Sequence, residues 1–481
     1  MIPKVKELLS IMEINDDKIS KELLSKAFLF AEKAHQGFVR YSGEPYMVHA
    51  VGTAKNLAKM RAGVKTVAAG LLHDTLSTRD SSATAEELKQ NFDEDIVFLV
   101  KTVNELDIIK YRGVKRHAES LRKLLVATAK DVRVILIKLA ERMHNIETLN
   151  FVPLEKQKRI ALETIEIYAP MANRLGMGRI KGALEDACFP YAYPEEYKKI
   201  IDLSKGKREE ALQYLEKIRN TLVKKLVAEN IKDFKTDFRI KHSYSLLKKL
   251  ERYNMDIEKI YDISALRILV PTIEDCYRVL GIIHNTWKPL NEKFKDYIAV
   301  PKFNGYKSIH TVIFTGDGGI VEIQIRTFAM HEEAEFGIAS HIFYDESGKP
   351  DEGGAVDKKM KWITQLIEWQ KNVKASSEFI EGLKTDFFKN RIFVFTPKGD
   401  VMELPEESTP IDFAYSIHSD IGNHISGAKI NNKFVSLDTK LQSGDIVEIE
   451  TREKSKPNKK WSEYAKTALA KKQIRLGLVH K

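Results

Sequence analysis

The chain's 481 residues predict an α+β protein of several domains: a helical first half, a mixed α/β middle, and a small β unit near the C-terminus. Three observations predict this. Apolar residues recur at helical spacing in the first 200 residues, short β-branched runs appear between about 260 and 330, and strand-like segments with turn residues follow from about 391. The length alone is too great for one core, and about three domains is the natural expectation.

Taken in order, Asp16 and Asp17 are placed to cap a helix whose apolar stripe is Ile19, Leu23, Ala27, Phe30 and Ala34. DVRVILIKLAERMHNIETL and KQKRIALETIEIYAPMANRL read as long helices, and helical pattern continues from about 200 to 250. YDISALRILVP, FNGYKSIHTVIF and GGIVEIQIRT read as strands. DESGKPDEGGAVD, at 345–357, reads as a flexible connector. Behind it Trp362, Leu366, Trp369 and Val373 form a helical stripe, most simply a packing face. RIFVFTPKGDVMEL reads as a hairpin turning at PKGD, and DIVEIET as a later strand. The expected division is 1–198 helical, 199–344 mixed, 345–390 linker and connecting helix, 391–453 β, and 454–481 a basic helical tail.

Composition excludes several classes. The two cysteines, Cys188 and Cys276, have no metal-ligand spacing and no disulfide framework, which suits a reducing cytoplasm. The stretch MIPKVKELLSIMEIND does not read as a signal peptide, and no apolar run approaches the ~18 residues that a membrane span needs. The formal charge of +10 is concentrated at 452–481, where ten Lys and Arg face only Glu453 and Glu463. Such a segment is either a solvated helix or a contact for RNA phosphates. Neither GxxxxGK[ST] nor GxGxxG occurs, so phosphates must be bound by other means.

The densest chemistry lies between 239 and 341. In Val321–Arg326 the side chains alternate, with Glu322, Gln324 and Arg326 on one face, which faces either solvent or a site. Asp262 opens a strand, a usual place for a carboxylate aimed at Mg²⁺. RIKHSYSLLKK supplies Arg239, Lys241, Ser245, Lys248 and Lys249 around helical spacing, enough donors for a triphosphate. FKDYIAVPKFNGYKSIH adds Lys295, Lys302, Asn304, Tyr306 and His310 within one loop, and an aromatic among cations suits a stacked nucleobase.

In this order YDISALRILV, FKDYIAVPKFNGYKSIHTVI, VEIQIRT and MHEEAEFGIASH resemble the synthetase domain of the RelA/SpoT homologue family. The resemblance implies a nucleotidyltransferase-like fold and transfer of pyrophosphate from ATP to the 3′-hydroxyl of GDP or GTP, making the alarmone (p)ppGpp. It implies Asp262 on Mg²⁺, Glu322 as Mg²⁺ ligand or general base, and Arg239 and Arg267 bracketing adenine. Lys241, Lys249, Lys295 and Lys302 would steady phosphates, and Tyr306 would stack on guanine. Arg267 is an odd number of steps from Asp262, so the two share a site only if Asp262 precedes the strand proper or the strand twists.

RYSGEPYMVHA, GLLHD and KLAERMHNIETL resemble the same family's all-α, metal-dependent HD hydrolase domain. His49, His73, Asp74 and Glu141 would then hold Mn²⁺ or a similar cation, with Arg40 and Asn145 on the nucleotide, although a lone His on a helix is more often structural. The family's adjacent Glu-Asp pair is replaced here by Ser77 and Thr78, Glu141 stands for an Asp, and Tyr41 for a Lys. Neutral hydroxyls cannot act as a general base near pH 7, so hydrolysis is expected to be lost. Residues 391–451 resemble the β-grasp TGS domain, which implies contact with tRNA on the ribosome. His418 is the candidate RNA contact, with a structural turn histidine as the alternative. Competing readings are a (p)ppGpp hydrolase or bifunctional enzyme, and a non-catalytic RNA- or ribosome-binding regulator.

Overall fold

The computed structural model describes residues 2–14, 17–77, 81–107, 113–302, 304–316, 319–340, 342, 362–364, 366–367, 370, 375–384, 388 and 391–479. Asp16, Thr78, the connector 345–357, Trp369 and Val373 lie outside them. The chain divides into two compact units, 1–109 with 123–361 and 110–122 with 362–481.

The first unit begins with helices. Asp17 caps the Lys18–Ala34 helix, its carboxylate accepting from the N–H groups of Ile19 and Ser20 at 3.0 and 3.3 Å. The buried stripe differs from the expected one. Ile19 is 77 % exposed, and Leu24, Ala27, Phe28, Ala31 and Ala34 face the core. Two apolar helices follow, Met47–Lys59 and Val64–Leu72, and they pack closely because Gly70 has no Cβ to strike Leu57. The Arg133–Glu147 helix buries Val134 to Ala140 without a break.

KQKRIALETIEIYAPMANRL is not one α-helix. It runs as α at Leu154–Glu163, widens to a π turn at Thr164–Tyr168, and resumes as α at Ala169–Arg174. Pro170 supplies the reason: it lacks an N–H and its ring opposes the preceding turn. The Gly178–Ala192 and Pro194–Ala228 helices lead into the sheet.

Helical pattern to 250 is also interrupted. β1 (Lys235–Ile240) stands between the Pro194–Ala228 and Ser243–Arg252 helices. It joins β2 (Ser264–Val270), β3 (Lys295–Asp296), β4 (Ile309–Phe314) and β5 (Ile320–Thr327) in the order β1-β2-β5-β4-β3. Only the β2–β5 pair among these is parallel. One face carries Leu266, Ile268, Ile323 and Ile325, buried with Leu222 and Leu226 of the Pro194–Ala228 helix and Val279 and Ile283 of the Ile273–Thr286 helix. The pairing places Ala265 beside Glu322, Arg267 beside Gln324, Asp237 beside Arg267, and His310 beside Gln324 on the opposite face. Asp262 does precede the strand proper, which removes the odd-step difficulty with Arg267.

In the second unit β6 (Arg391–Phe395) and β7 (Val401–Pro405) form the expected hairpin, with Gly399 at φ +89° in its turn. β8 (Ile425–Ile430), β9 (Lys433–Val435) and β10 (Val447–Thr451) form a second antiparallel group, order β10-β8-β9, which a parallel bridge from Phe395 to Ile446 joins to the hairpin. Trp362 and Leu366 are buried, as a packing stripe requires.

The basic segment is no free arm. Its Lys459–Tyr464 and Ala468–Val479 helices bury Trp461, Ala465, Ala470 and Ile474 against Ile411, Ala414, Tyr415 and Ile425. Apolar positions between its lysines outweigh the charge. Asp412, 1 % exposed, fastens the segment by accepting from the N–H groups of Thr409, Lys466 and Thr467 at 2.8–3.1 Å. Asp412→Ala strands these donors and is expected to cost about 3 kcal/mol. Hydrogen exchange of amides in the Ala468–Val479 helix should accelerate, while exchange in β2 and β5 stays unchanged.

Among the described residues no helix is long and apolar enough to cross a membrane.

Candidate active site

The polar sheet face is a buried network. Glu322, Gln324 and Arg326 are 6, 3 and 2 % exposed, which excludes a solvent-facing strand. His310 Nδ1 lies 2.8 Å from Glu322 Oε1, and Gln324 Nε2 donates to the same oxygen at 2.9 Å. An ionised carboxylate only accepts, so Nδ1 of His310 carries its proton. Nε2 must then accept from the Tyr306 hydroxyl, 2.8 Å away. Gln324 Oε1 in turn accepts from Arg239 at 3.3 Å. Burial would raise the Glu322 pKa, but the hydrogen bonds from His310 and Gln324 and the charge of Lys241 hold it below the usual carboxylate range. Burial keeps His310 below its ordinary value.

Asp262 carries an ammonium on each oxygen, Lys249 at 2.6 Å on Oδ1 and Lys241 on Oδ2. Burial and the negative charge of Glu322 raise its pKa, yet the two lysines hold it below the usual value. Asp262 and Glu322 are thus both ionised carboxylates, the donor type that binds Mg²⁺ together with substrate phosphates. Lys302 lies 4.5 and 4.9 Å from the ring centroids of Tyr297 and Tyr306. Although part of its surface is exposed, burial among these groups and the charges of Arg239 and Lys295 push its ammonium down to about 8.

Several expected placements change. Arg239 is on a strand and Lys241 follows it, so only Ser245, Lys248 and Lys249 of that run are helical. Lys248 is exposed and pairs with Glu251, and Ser245 bonds Glu185. Lys295 and His310 are not in a loop but face one another across β3 and β4. Asn304 bonds Asn173 and takes the N–H of Tyr306, each at 3.3 Å. Arg267 is 7 % exposed and held by Glu335 at 3.3 Å, His331 and Asp237, while Arg239 is exposed. The two arginines therefore do not stand as an open bracket.

His331 and Glu335, which also hold Arg326 at 2.6 and 3.2 Å, were not anticipated. Their i, i+4 spacing on the Phe328–Phe336 helix directly after β5 was the available signal.

A second cluster lies in the helical part. His73, at the end of the Val64–Leu72 helix, directs Nδ1 to the Gly70 carbonyl at 2.8 Å and Nε2 to His49 Nε2 at 3.2 Å. Asp74 Oδ2 lies 3.1 Å from His73 Nε2 and 3.6 Å from His49 Nε2, and accepts from the Tyr46 hydroxyl at 2.7 Å. Three ligands about 2.1 Å from one ion lie about 3.0–3.4 Å apart, so the three residues fit a divalent cation. Burial lowers the His73 pKa, but the Asp74 carboxylate lifts it to about 9. The site thus favours positive charge at the Nε2 position.

Glu141 does not join this group. Lys138 holds it at 2.6 Å and Asn145 at 3.2 Å. Arg40 bonds Asn145 at 2.7 Å and His144 at 3.0 Å. Tyr46 and His144 were missed, although both lie inside the quoted motifs. In the second unit His418 is exposed, and its Nδ1 accepts from the N–H of Asp420, capping a helix turn.

Residues 27–178 match the HD domain family, 238–349 the region found in RelA / SpoT proteins, and 392–451 the TGS domain. The chain is thus an HD–RelA/SpoT–TGS protein. It is 43 % identical over 462 residues to a GTP pyrophosphokinase of Myxococcus xanthus, covering 94 % of this chain and 60 % of that protein. To a guanosine-3′,5′-bis(diphosphate) 3′-pyrophosphohydrolase of Aquifex aeolicus it is 43 % identical over 94 % of this chain and 64 % of the relative. To the bifunctional (p)ppGpp synthase/hydrolase SpoT of Escherichia coli it is 40 % identical over 96 and 65 %. With these modules and relatives, the chain belongs to the RelA/SpoT family. It spans about 60 % of the length of the curated relatives it matches.

Proposed function

We propose that the chain is a cytoplasmic (p)ppGpp synthetase that moves pyrophosphate from ATP to the 3′-hydroxyl of GDP or GTP, and that its HD domain no longer hydrolyses the product. The observation that carries this reading is Glu322. Its carboxylate is ionised, buried, and bonded by His310 and Gln324 on Oε1 alone among its hydrogen bonds. Oε2 is the atom we assign to the 3′-hydroxyl proton. As the hydroxyl oxygen bonds to the β-phosphorus, the bond from that phosphorus to the α–β bridging oxygen breaks and AMP leaves.

The remaining residues position and neutralise. Asp262, with Glu322, would hold Mg²⁺, which supplies charge neutralisation on the transferring group. Lys241 and Lys249 are placed to pass from Asp262 to phosphates, and Lys302 and Tyr306 to meet the guanine nucleotide. Arg267 reaches an adenine only by releasing Glu335. Ser245, Asn304 and His310 act here through neighbours.

A bifunctional reading draws support from the His49–His73–Asp74 cluster, which fits a cation. Against it, Ser77 follows with a neutral hydroxyl where water activation needs an acid, and Glu141 is engaged by Lys138. For RNA, the TGS domain and its basic helices are the proposed surface, and His418 has only Nε2 left to offer.

Labelled ATP with GDP or GTP and Mg²⁺, then ppGpp with Mn²⁺, followed by chromatography, separates the readings. Product in the first reaction and none in the second beyond a His73→Ala control supports the proposal. Breakdown in the second assigns a hydrolase, and silence in both a non-catalytic regulator.

A further inference from the structure

His144 occupies a place that neither reaction accounts for. It is 6 % exposed on the Arg133–Glu147 helix, and its ring lies against Gly52 of the Met47–Lys59 helix. A Cβ at Gly52 would fall 1.8 Å from the His144 Cδ2 atom, so the ring fills a notch that only glycine leaves. That edge contact turns Nδ1 toward the cation cluster. Two groups meet there: the Arg40 guanidinium at 3.0 Å and His49 Nδ1, also at 3.0 Å.

The hydrogen bonds permit one arrangement. A guanidinium only donates, so His144 Nδ1 is an acceptor and carries no proton. Two bare lone pairs 3.0 Å apart would repel, so His49 Nδ1 carries a proton and shares with Arg40 the single lone pair of His144 Nδ1. A neutral His49 protonated at Nδ1 presents the Nε2 lone pair, and Nε2 is the atom that faces His73 and Asp74. From this geometry we infer that His144 is a positioning residue for the cation site: by accepting from Arg40 and His49 together, it fixes His49 in the tautomer able to ligate. Were Arg40 absent, His144 could carry its proton on Nδ1 and turn His49 to the tautomer that blocks the ion. Arg40 thereby reaches the cation through one imidazole. The inference rests on the reading that His49, His73 and Asp74 hold a divalent cation, and does not require hydrolysis.

Mn²⁺ binding to the full chain, followed by the electron paramagnetic resonance signal of the free ion, tests it without turnover. The site's share is the binding that His73→Ala removes. Loss of an outer hydrogen-bond partner commonly weakens a metal site about 10–100-fold, and His144→Leu is expected to do so. His144→Asn returns an acceptor oxygen near the Nδ1 position and is expected to stay within about threefold of the natural protein. Arg40→Met, at a half-buried position, gives a second route should His144→Leu unfold, which its melting curve reports; it is expected to weaken binding about threefold or more. The inference is overturned if His144→Leu binds as tightly as the natural protein, or if His144→Asn loses as much as His144→Leu. Should the natural protein bind no more Mn²⁺ than His73→Ala, the cation reading itself falls and takes the inference with it.

Discussion

Glu322→Gln is expected to slow pyrophosphate transfer by about three orders of magnitude while nucleotide affinity changes only a few-fold. The substitution keeps shape and removes the charge that receives the proton. Gln324 and His310 both donate to Glu322 Oε1, and an amide oxygen can still accept from both, so the network and fold persist. The loss should therefore appear in kcat and leave KM nearly unchanged, the pattern of an interaction made only in the transition state. Product formed by Glu322→Gln at the natural rate would remove the base from Glu322.

The second large effect is expected from Asp262→Asn. In the protein one carboxylate neutralises Lys241 and Lys249 together. Asn leaves both ammoniums free to attract phosphates and deletes the charge that would hold Mg²⁺. Turnover should fall by about two to three orders of magnitude. Affinity for metal-free ATP should hold or rise, because the site becomes more positive. This opposition between turnover and binding distinguishes the proposed role from general misfolding, which would lower both. An Asp262→Asn protein with normal turnover and normal Mg²⁺ dependence would contradict the assignment.

Much of this architecture was legible in the sequence because the relevant patterns are local. The alternation of Val321–Arg326 placed Glu322, Gln324 and Arg326 on one face, and the PKGD turn located the hairpin. Less was legible where two local tendencies compete. RIKHSYSLLKK looks helical as a unit, yet His242 ends the extended run and Arg239 belongs to β1, because pairing with β2 outweighs propensity there. The apolar stripe of the Lys18–Ala34 helix was displaced because Leu23 and Leu24 adjoin and only tertiary packing chooses between them. Charge misled at 452–481, where the few apolar residues between lysines decide the packing.

The site divides in the same way. Acids and cations were readable as types, and their partners were not. Nothing in the order of residues says that Arg267 is tied to Glu335, since that contact depends on how the Phe328–Phe336 helix lies against β2, whereas Lys138 and Glu141 are an i, i+3 pair on one helix that spacing alone could have shown. His144 illustrates the limit most clearly: its role depends on the missing Cβ of Gly52, 92 residues earlier in the chain.

Phosphorus NMR of a running reaction reads directly which bond of ATP is broken. With ATP, GDP and Mg²⁺, AMP and a 3′-diphosphate should rise together in equal amounts while no ADP accumulates. Appearance of ADP and inorganic phosphate in their place would mean that the Glu322 face does other chemistry.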